Sequence, residues 1–169
     1  MKRFLLIVLM AVTLACRQEQ KVSSIDPVKW EDRTVTGQKL TDSLESGKSY
    51  LSIYSQIFSL TEHKTHNLTV MVSLRNMSDQ DTIYMDAAHY YDTHGKLIHN
   101  YFKKSIYLAP LETLEIVIDE MDTAAGTGGN FIFEWKIPQA GPEPLFEAVM
   151  SSTTSQQGLS FITEGKRID

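Results

Sequence analysis

Apolar and polar positions alternate with a period of two over most of the chain beyond residue 35, and that period predicts strands. The clearest case is Leu68, Val70, Val72 and Leu74, set off by Thr69, Met71, Ser73 and Arg75. Residues 50–58 carry the alternating set Leu51, Ile53 and Ile57 as one strand. In residues 83–92, Ile83, Met85, Ala87, His89 and Tyr91 alternate with Tyr84, Asp86, Ala88, Tyr90 and Asp92. Leu114, Ile116 and Ile118 form another set, as do Phe131, Phe133, Trp135 and Ile137. Phe146, Ala148 and Met150 follow, and residues 159–163 close the series.

Turn chemistry falls between these runs. Asp92-Thr93-His94-Gly95 has Asp at the first position of a turn and Gly at the last, which predicts a hairpin. Residues 76–81, 126–130 and 138–144 are rich in Asn, Asp, Ser, Gly and Pro and read as further turns. No segment beyond the first 34 residues holds a 3.6-residue period over eleven positions. Eight or nine short strands are therefore expected: an all-β protein, an antiparallel β-sandwich of immunoglobulin-like form, with a small barrel as the alternative. A domain over residues 35–169 is large enough to bury a working core without disulfides.

The first residues break the pattern. Lys2 and Arg3 precede an unbroken apolar and small-residue run, residues 4–15, that ends at Cys16. Twelve residues are too few for a spanning helix, which needs about 20. Their layout is that of a secretory signal peptide over residues 1–15. The run resembles a bacterial lipoprotein signal, with Thr13 where Leu is preferred three places before the cysteine. That resemblance implies that Cys16 carries fatty acyl chains such as palmitate and becomes the first residue of the exported protein. Several acyl chains hold a protein stably at a membrane without any helix crossing it. Arg17, in place of the Asp that retains many lipoproteins at the inner membrane, points to the outer one.

Residues 16–34 read as a tether. Residues 17–24 are polar and aperiodic, Asp26-Pro27 has the form of a helix start, and Trp30 is expected to dock the segment on the domain.

Composition narrows the function classes. The chain has 169 residues, 42% hydrophobic and 22% charged, which excludes a disordered tail or a coiled coil. A pI near 5.5 and a net charge of −5 argue against nucleic acid as a partner. One cysteine excludes an internal disulfide and any multi-thiolate metal site.

Five separate motifs, in order, carry a second resemblance. They are Tyr90-Tyr91-Asp92-Thr93-His94-Gly95-Lys96-Leu97, Leu108-Ala109-Pro110-Leu111-Glu112-Thr113, Gly128-Gly129-Asn130-Phe131 with Trp135, Glu147-Ala148-Val149-Met150, and Gln157-Gly158-Leu159-Ser160-Phe161. Over about residues 48–167 the chain resembles a family of secreted bacterial proteins, domain of unknown function 3124. The resemblance implies an exported, often lipid-anchored single domain and brings no activity, substrate or catalytic residue.

Candidate chemistry must come from the residues themselves. His63 and His66, three apart in a polar stretch, would share a metal if that stretch were a helical turn, although Lys64 between them disfavours one. Asp119, Glu120 and Asp122 precede the glycine-rich run and offer oxygens to a cation, without the ligand spacing of an EF-hand. The glycines lack the Lys and the following helix of a phosphate-binding loop, and no Gly-x-Ser-x-Gly elbow occurs. No catalytic residue and no cofactor are expected. Tyr84 and Tyr90, placed by the alternation on the Asp86 face, are the candidate recognition surface. Two readings follow: a non-enzymatic envelope lipoprotein binding a protein or glycan partner, or a metal-assisted or acid-base hydrolase built on His63, His66 and the acidic turn.

Overall fold

The structure, a computed structural model, describes residues 28–35, 43–153 and 158–169. The signal segment, Cys16, the aperiodic tether residues and the Asp26-Pro27 helix start lie outside the described residues. Among the described residues there are twelve strands: β1 (Leu44–Ile53), β2 (Gln56–Ser59), β3 (Thr61–Asn67), β4 (Thr69–Arg75), β5 (Ile83–Tyr91), β6 (Leu97–Asn100), β7 (Ile106–Leu108), β8 (Thr113–Ile118), β9 (Gly129–Pro138), β10 (Leu145–Ser152), β11 (Leu159–Glu164) and β12 (Lys166–Arg167). One sheet runs β12-β1-β9-β5-β6, with β7 also on β5, and the other β11-β10-β4-β8. β2 and β3 form a separate hairpin. All pairings are antiparallel, and the architecture is the expected β-sandwich.

The alternation seen in the sequence is the inner face of each sheet. Val70, Val72 and Leu74 of β4, Ile116 and Ile118 of β8, and Ala148 and Met150 of β10 are buried in one sheet. Leu51 and Ile53 of β1 and Phe131, Phe133, Trp135 and Ile137 of β9 face them from the other. Phe133 and Phe146 stack across the interface, 4.2 Å apart and 4° from parallel, and Phe131 and Tyr90 continue the column. Burying these apolar surfaces, at roughly 25 cal/mol per Å² removed from water, is the main force holding the sheets together.

One side of the sandwich is closed by a strand that changes sheet. β11 pairs with β10, and after Gly165 the same stretch continues as β12 on β1. Gly165 N–H donates to Phe146 O at 2.8 Å, and a Cβ at this position would lie 3.0 Å from the Phe146 Cβ. Only glycine fits so close an approach comfortably. Thr163 Oγ1 donates to Ser52 O at 2.6 Å, so both sheets are tied at this seam. Among the described residues no strand pairing joins β7 to β8 on the opposite side, as in a sandwich.

Residues 28–35 lie along that open side. A 3-10 turn, Trp30–Arg33, follows Lys29, with no side-chain cap. Thr34 bridges to Ile106, Val35 N–H donates to Ser105 O at 2.9 Å, and Arg33 pairs with Glu112 at 2.7 Å. Trp30 packs on Phe102 and Tyr101, as a docking residue should. The end of the sequence-defined tether is thus part of the folded body.

Two strand expectations are corrected. Residues 50–58 are not one strand: the run breaks at Tyr54-Ser55, where buried Ser55 donates its hydroxyl to Gly126 O, and the chain leaves for the β2–β3 hairpin. In β5, the register against β9 shifts between Met85 and Ala87, so Asp86 is a bulge residue. A bulge inserts one residue and reverses the faces of all that follow. Tyr90 therefore enters the core, while His89 and Tyr91 turn outward.

The hairpin joining β5 to β6 forms where Asp92 predicts it. The Asp92 carboxylate accepts N–H bonds from His94 and Lys96, both at 2.8 Å. Those bonds, that from Lys96 foremost, hold its pKa below the ordinary carboxylate value. A lowered carboxylate pKa means stability that is present above the unfolded-state value and is lost as pH falls through the folded one. We expect the backbone protection of Lys96 in hydrogen exchange, corrected for intrinsic rates, to drop between neutral pH and pH about 3 more than in an Asp92→Asn variant. Equal losses would remove the carboxylate from the account.

Candidate functional site

Tyr84 and Tyr90 do not form one surface. Tyr84 is half-buried on the outer face of its sheet, opposite Tyr107 of β7 and Lys136 of β9. Tyr90 is 1% exposed and stacks on Phe131, 4.9 Å away. Burial, and after it the Asp122 carboxylate, pushes its phenol well above the ordinary value. The bulge at Asp86 is the reason, and Tyr90 is withdrawn as a recognition residue.

The metal candidates also stay apart. The stretch holding His63 and His66 is strand β3, not a helical turn, and residues 62–64 bulge out of its pairing with β2. His63 is exposed beside Glu62 at 3.4 Å, while His66 is within 3.0 Å of the Ser152 hydroxyl. Asp119 and Asp122 spend carboxylate oxygens on their own turn, accepting the N–H groups of Met121 and Ala124 at 2.7 and 3.0 Å. Among the described residues no group of three His, Cys, Asp or Glu side chains is placed to hold a metal ion.

A cleft of about 840 Å³ lies instead where the 3-10 turn meets the connection from β6 to β7. Half-buried Trp30 and Tyr101 line it side by side with buried Phe102, on which Trp30 packs. The rings are tilted against one another: Trp30 stands at 69° to Tyr101 and 43° to Phe102, with centroids 6.3 and 5.4 Å apart. His99 meets the edge of Tyr101 at 4.7 Å. Lys29, Lys103 and Lys104 lie exposed at the cleft, as do Glu31 and Asp32.

Local structure explains why these residues converge. Asp86, freed from the pleat by its bulge, accepts the Ser105 hydroxyl at 2.6 Å and pairs with Lys136 at 2.8 Å. Ser105 O in turn receives the Val35 N–H. One bulged carboxylate so fixes the connection that carries Tyr101 and Phe102, and through it the segment that carries Trp30. Tyr101 N–H donates to Ala88 O at 3.2 Å, and its ring packs on Phe131 from the core side. Burial, with a smaller contribution from Asp122, leaves the Tyr101 phenol pushed up to about 12, so it is a neutral hydroxyl at any physiological pH.

One polar atom in the cleft wall has no partner. Asn100 Oδ1 is buried without a hydrogen bond among the described residues. The atom has essentially no accessible surface, so a molecule in the cleft does not reach it. The cleft can hold a small molecule against half-buried Trp30 and Tyr101, among exposed cations and carboxylates.

Sequence reasoning found Trp30 but missed its companions. The available signal was the run Asn100-Tyr101-Phe102-Lys103-Lys104, two aromatics followed by two cations in a connection between strands. It was hidden because neither ring continues a strand period and neither lysine is near a catalytic residue type.

No curated protein and no solved structure matches the chain. A family model does: residues 46–168 match the family described as "Protein of unknown function (DUF3124)". With most of its length inside that match, including β5, β9, β10 and the sheet-changing strand that closes the sandwich, the chain belongs to that family.

Proposed function

We propose that the protein is a non-enzymatic binding module of the bacterial envelope, anchored through acylated Cys16, with the cleft lined by Trp30 and Tyr101 as its binding site. The cleft carries this reading: a concave site lined by half-buried Trp30 and Tyr101 beside exposed lysines. The anchor rests on the residue pattern of the first 16 positions. Only 11 residues separate Cys16 from Val28, a residue of the cleft wall. Fully extended, that stretch spans at most roughly 40 Å, which keeps the cleft close to the membrane surface. The hydrolase reading finds no support in the geometry, since its histidines and acidic turn do not assemble.

Two measurements on one preparation test the proposal. In fractionated cells the wild type is expected with the membranes and Cys16→Ser in the soluble fraction; unchanged membrane association of the variant would sink the anchor. A soluble envelope extract is expected to raise the melting temperature of Cys16→Ser but not of Cys16→Ser/Tyr101→Ala, because a ligand that binds only the folded state stabilises it. Equal shifts in the two, or none in either, would remove the cleft as the binding site.

A further inference from the structure

We infer that two copies of the chain pair face to face through the outer face of the β11-β10-β4-β8 sheet. Strand register sets one apolar residue from each of the four strands in a single row across that face: Ile162, Val149, Met71 and Val117. Ile162 is 64% and Val117 46% exposed, and Val149 and Met71 between them are half-buried. A row continuous over every strand of a sheet is a patch, unlike apolar residues scattered singly.

The two flanking rows decide what covers it. Two residues along each strand on one side stand Glu164, Glu147, Ser73 and Glu115. On the other side stand the hydroxyls of Ser160, Ser151 and Thr69. Each flanking row is roughly 7 Å from the apolar one. A two-fold axis lying along the apolar row therefore turns the face over onto its own complement. Apolar row meets apolar row, Glu164 of either copy faces Ser160 of the other, and Glu147 faces Ser151. Contacts of this isologous kind require such self-complementarity. The match is weakest at β8, where Glu115 lies toward Asp119, whose carboxylate already accepts the Met121 N–H at 2.7 Å. A two-fold axis along the strands would instead lay the carboxylate row on itself, which like charges oppose. A cationic partner would call for carboxylates on both sides of the apolar row, and they line one.

Size sets the strength. Strands about 4.8 Å apart and the eight residues of β10 give a footprint of roughly 19 by 27 Å. That is less than the roughly 800 Å² each partner brings to a standard interface, so the pair is weak and reversible. Confinement at a membrane by the proposed anchor would raise its effective concentration.

With the axis along the row, each row residue faces its own counterpart, and single cysteines read that directly. Ile162→Cys, Val117→Cys and, as an exposed site off this face, Lys64→Cys are treated in whole cells with a short bis-maleimide, beside the unsubstituted chain as control for Cys16. Dimer yields at Ile162→Cys and Val117→Cys are expected at least fivefold above Lys64→Cys. Ile162→Glu is expected to cut the Val117→Cys yield at least fivefold, and Val117→Glu to do the same to Ile162→Cys; both sites are exposed enough to leave the core intact. Yields equal at all three sites, or none at any, would overturn the dimer. Yields that the glutamates leave unchanged would overturn this face. Linkage of Ile162→Cys only to Val117→Cys, in mixed expression, would overturn the axis along the row. Whole cells are read irrespective of fractionation, so failure of the anchor leaves this result standing.

Discussion

Asn76→Ala is expected to cost about 3 kcal/mol of stability, more than any substitution at the surface. Asn76 is 3% exposed, at the end of β4 where two turns meet. Its amide nitrogen donates to Asp81 O at 2.8 Å, Ala109 O at 2.9 Å and Leu108 O at 3.2 Å. Its Oδ1 accepts the Ser78 N–H at 2.9 Å, and its own N–H goes to Glu112 O. One side chain thus bonds four backbone groups, two of them more than 30 residues along the chain. Alanine leaves those groups buried and unpaired, each at a cost of roughly 1–3 kcal/mol where water cannot reach. A fall in melting temperature of about 10 °C follows for a domain of this size. Asn76→Asp is expected to be at least as damaging, since it turns a second acceptor toward carbonyls that need donors. A loss below 1 kcal/mol by urea titration would mean that water replaces the amide, and the clamp would be discarded.

Gly47→Ala is expected to destabilise by about 3 kcal/mol, the upper range for overpacking a core. On an extended strand the same change normally helps slightly, by about 0.4–1 kcal/mol, through the unfolded chain. The sign is therefore diagnostic. Gly47 faces Trp135 directly across the β1–β9 ladder, and a Cβ there would enter the indole ring. The indole has no room to retreat: its Nε1 donates to Ser49 Oγ at 3.0 Å, and the Arg167 guanidinium sits 5.1 Å above the ring. Arg167 is itself held by Glu143 at 2.6 Å and Glu45 at 2.9 Å. Shrinking the ring should relieve the clash, so in Gly47→Ala/Trp135→Leu the two losses should be strongly non-additive. Purely additive losses would show that the alanine methyl and the indole do not meet.

What was legible in the sequence follows from what period-two alternation encodes. In β4, β8, β9 and β10 the apolar residues chosen by alternation are the buried ones, because each strand keeps an unbroken pleat with one dry face. Alternation carries no mark of an inserted residue, so the Asp86 bulge, and with it the inward turn of Tyr90, left no trace. The β2–β3 hairpin was half visible, since Ile57 packs on the core while residues 61–65 are exposed on both faces. The cleft was least legible. Its lining comes from residues some 70 positions apart, Trp30 and Tyr101, brought together by tertiary contacts such as the pairing through Ser105 and Ile106. Asn76-Met77-Ser78 matches a glycosylation pattern, yet the side chain a glycan would need is the clamp described above.

The strand that changes sheet at Gly165 sets the timing of assembly. Until residues 159–167 have left the ribosome, β10 and β1 each show a bare edge to solvent, and bare edges recruit other chains. At about 5–20 residues per second, nearly the whole sandwich is made before its seam can close. A chain cut short of Gly165 would keep its inner faces and its aromatic column, but would present two strand edges to every neighbour of its own kind. Loss of so short a piece should then show itself as a rise in self-association with protein concentration, sooner than as a loss of strand content.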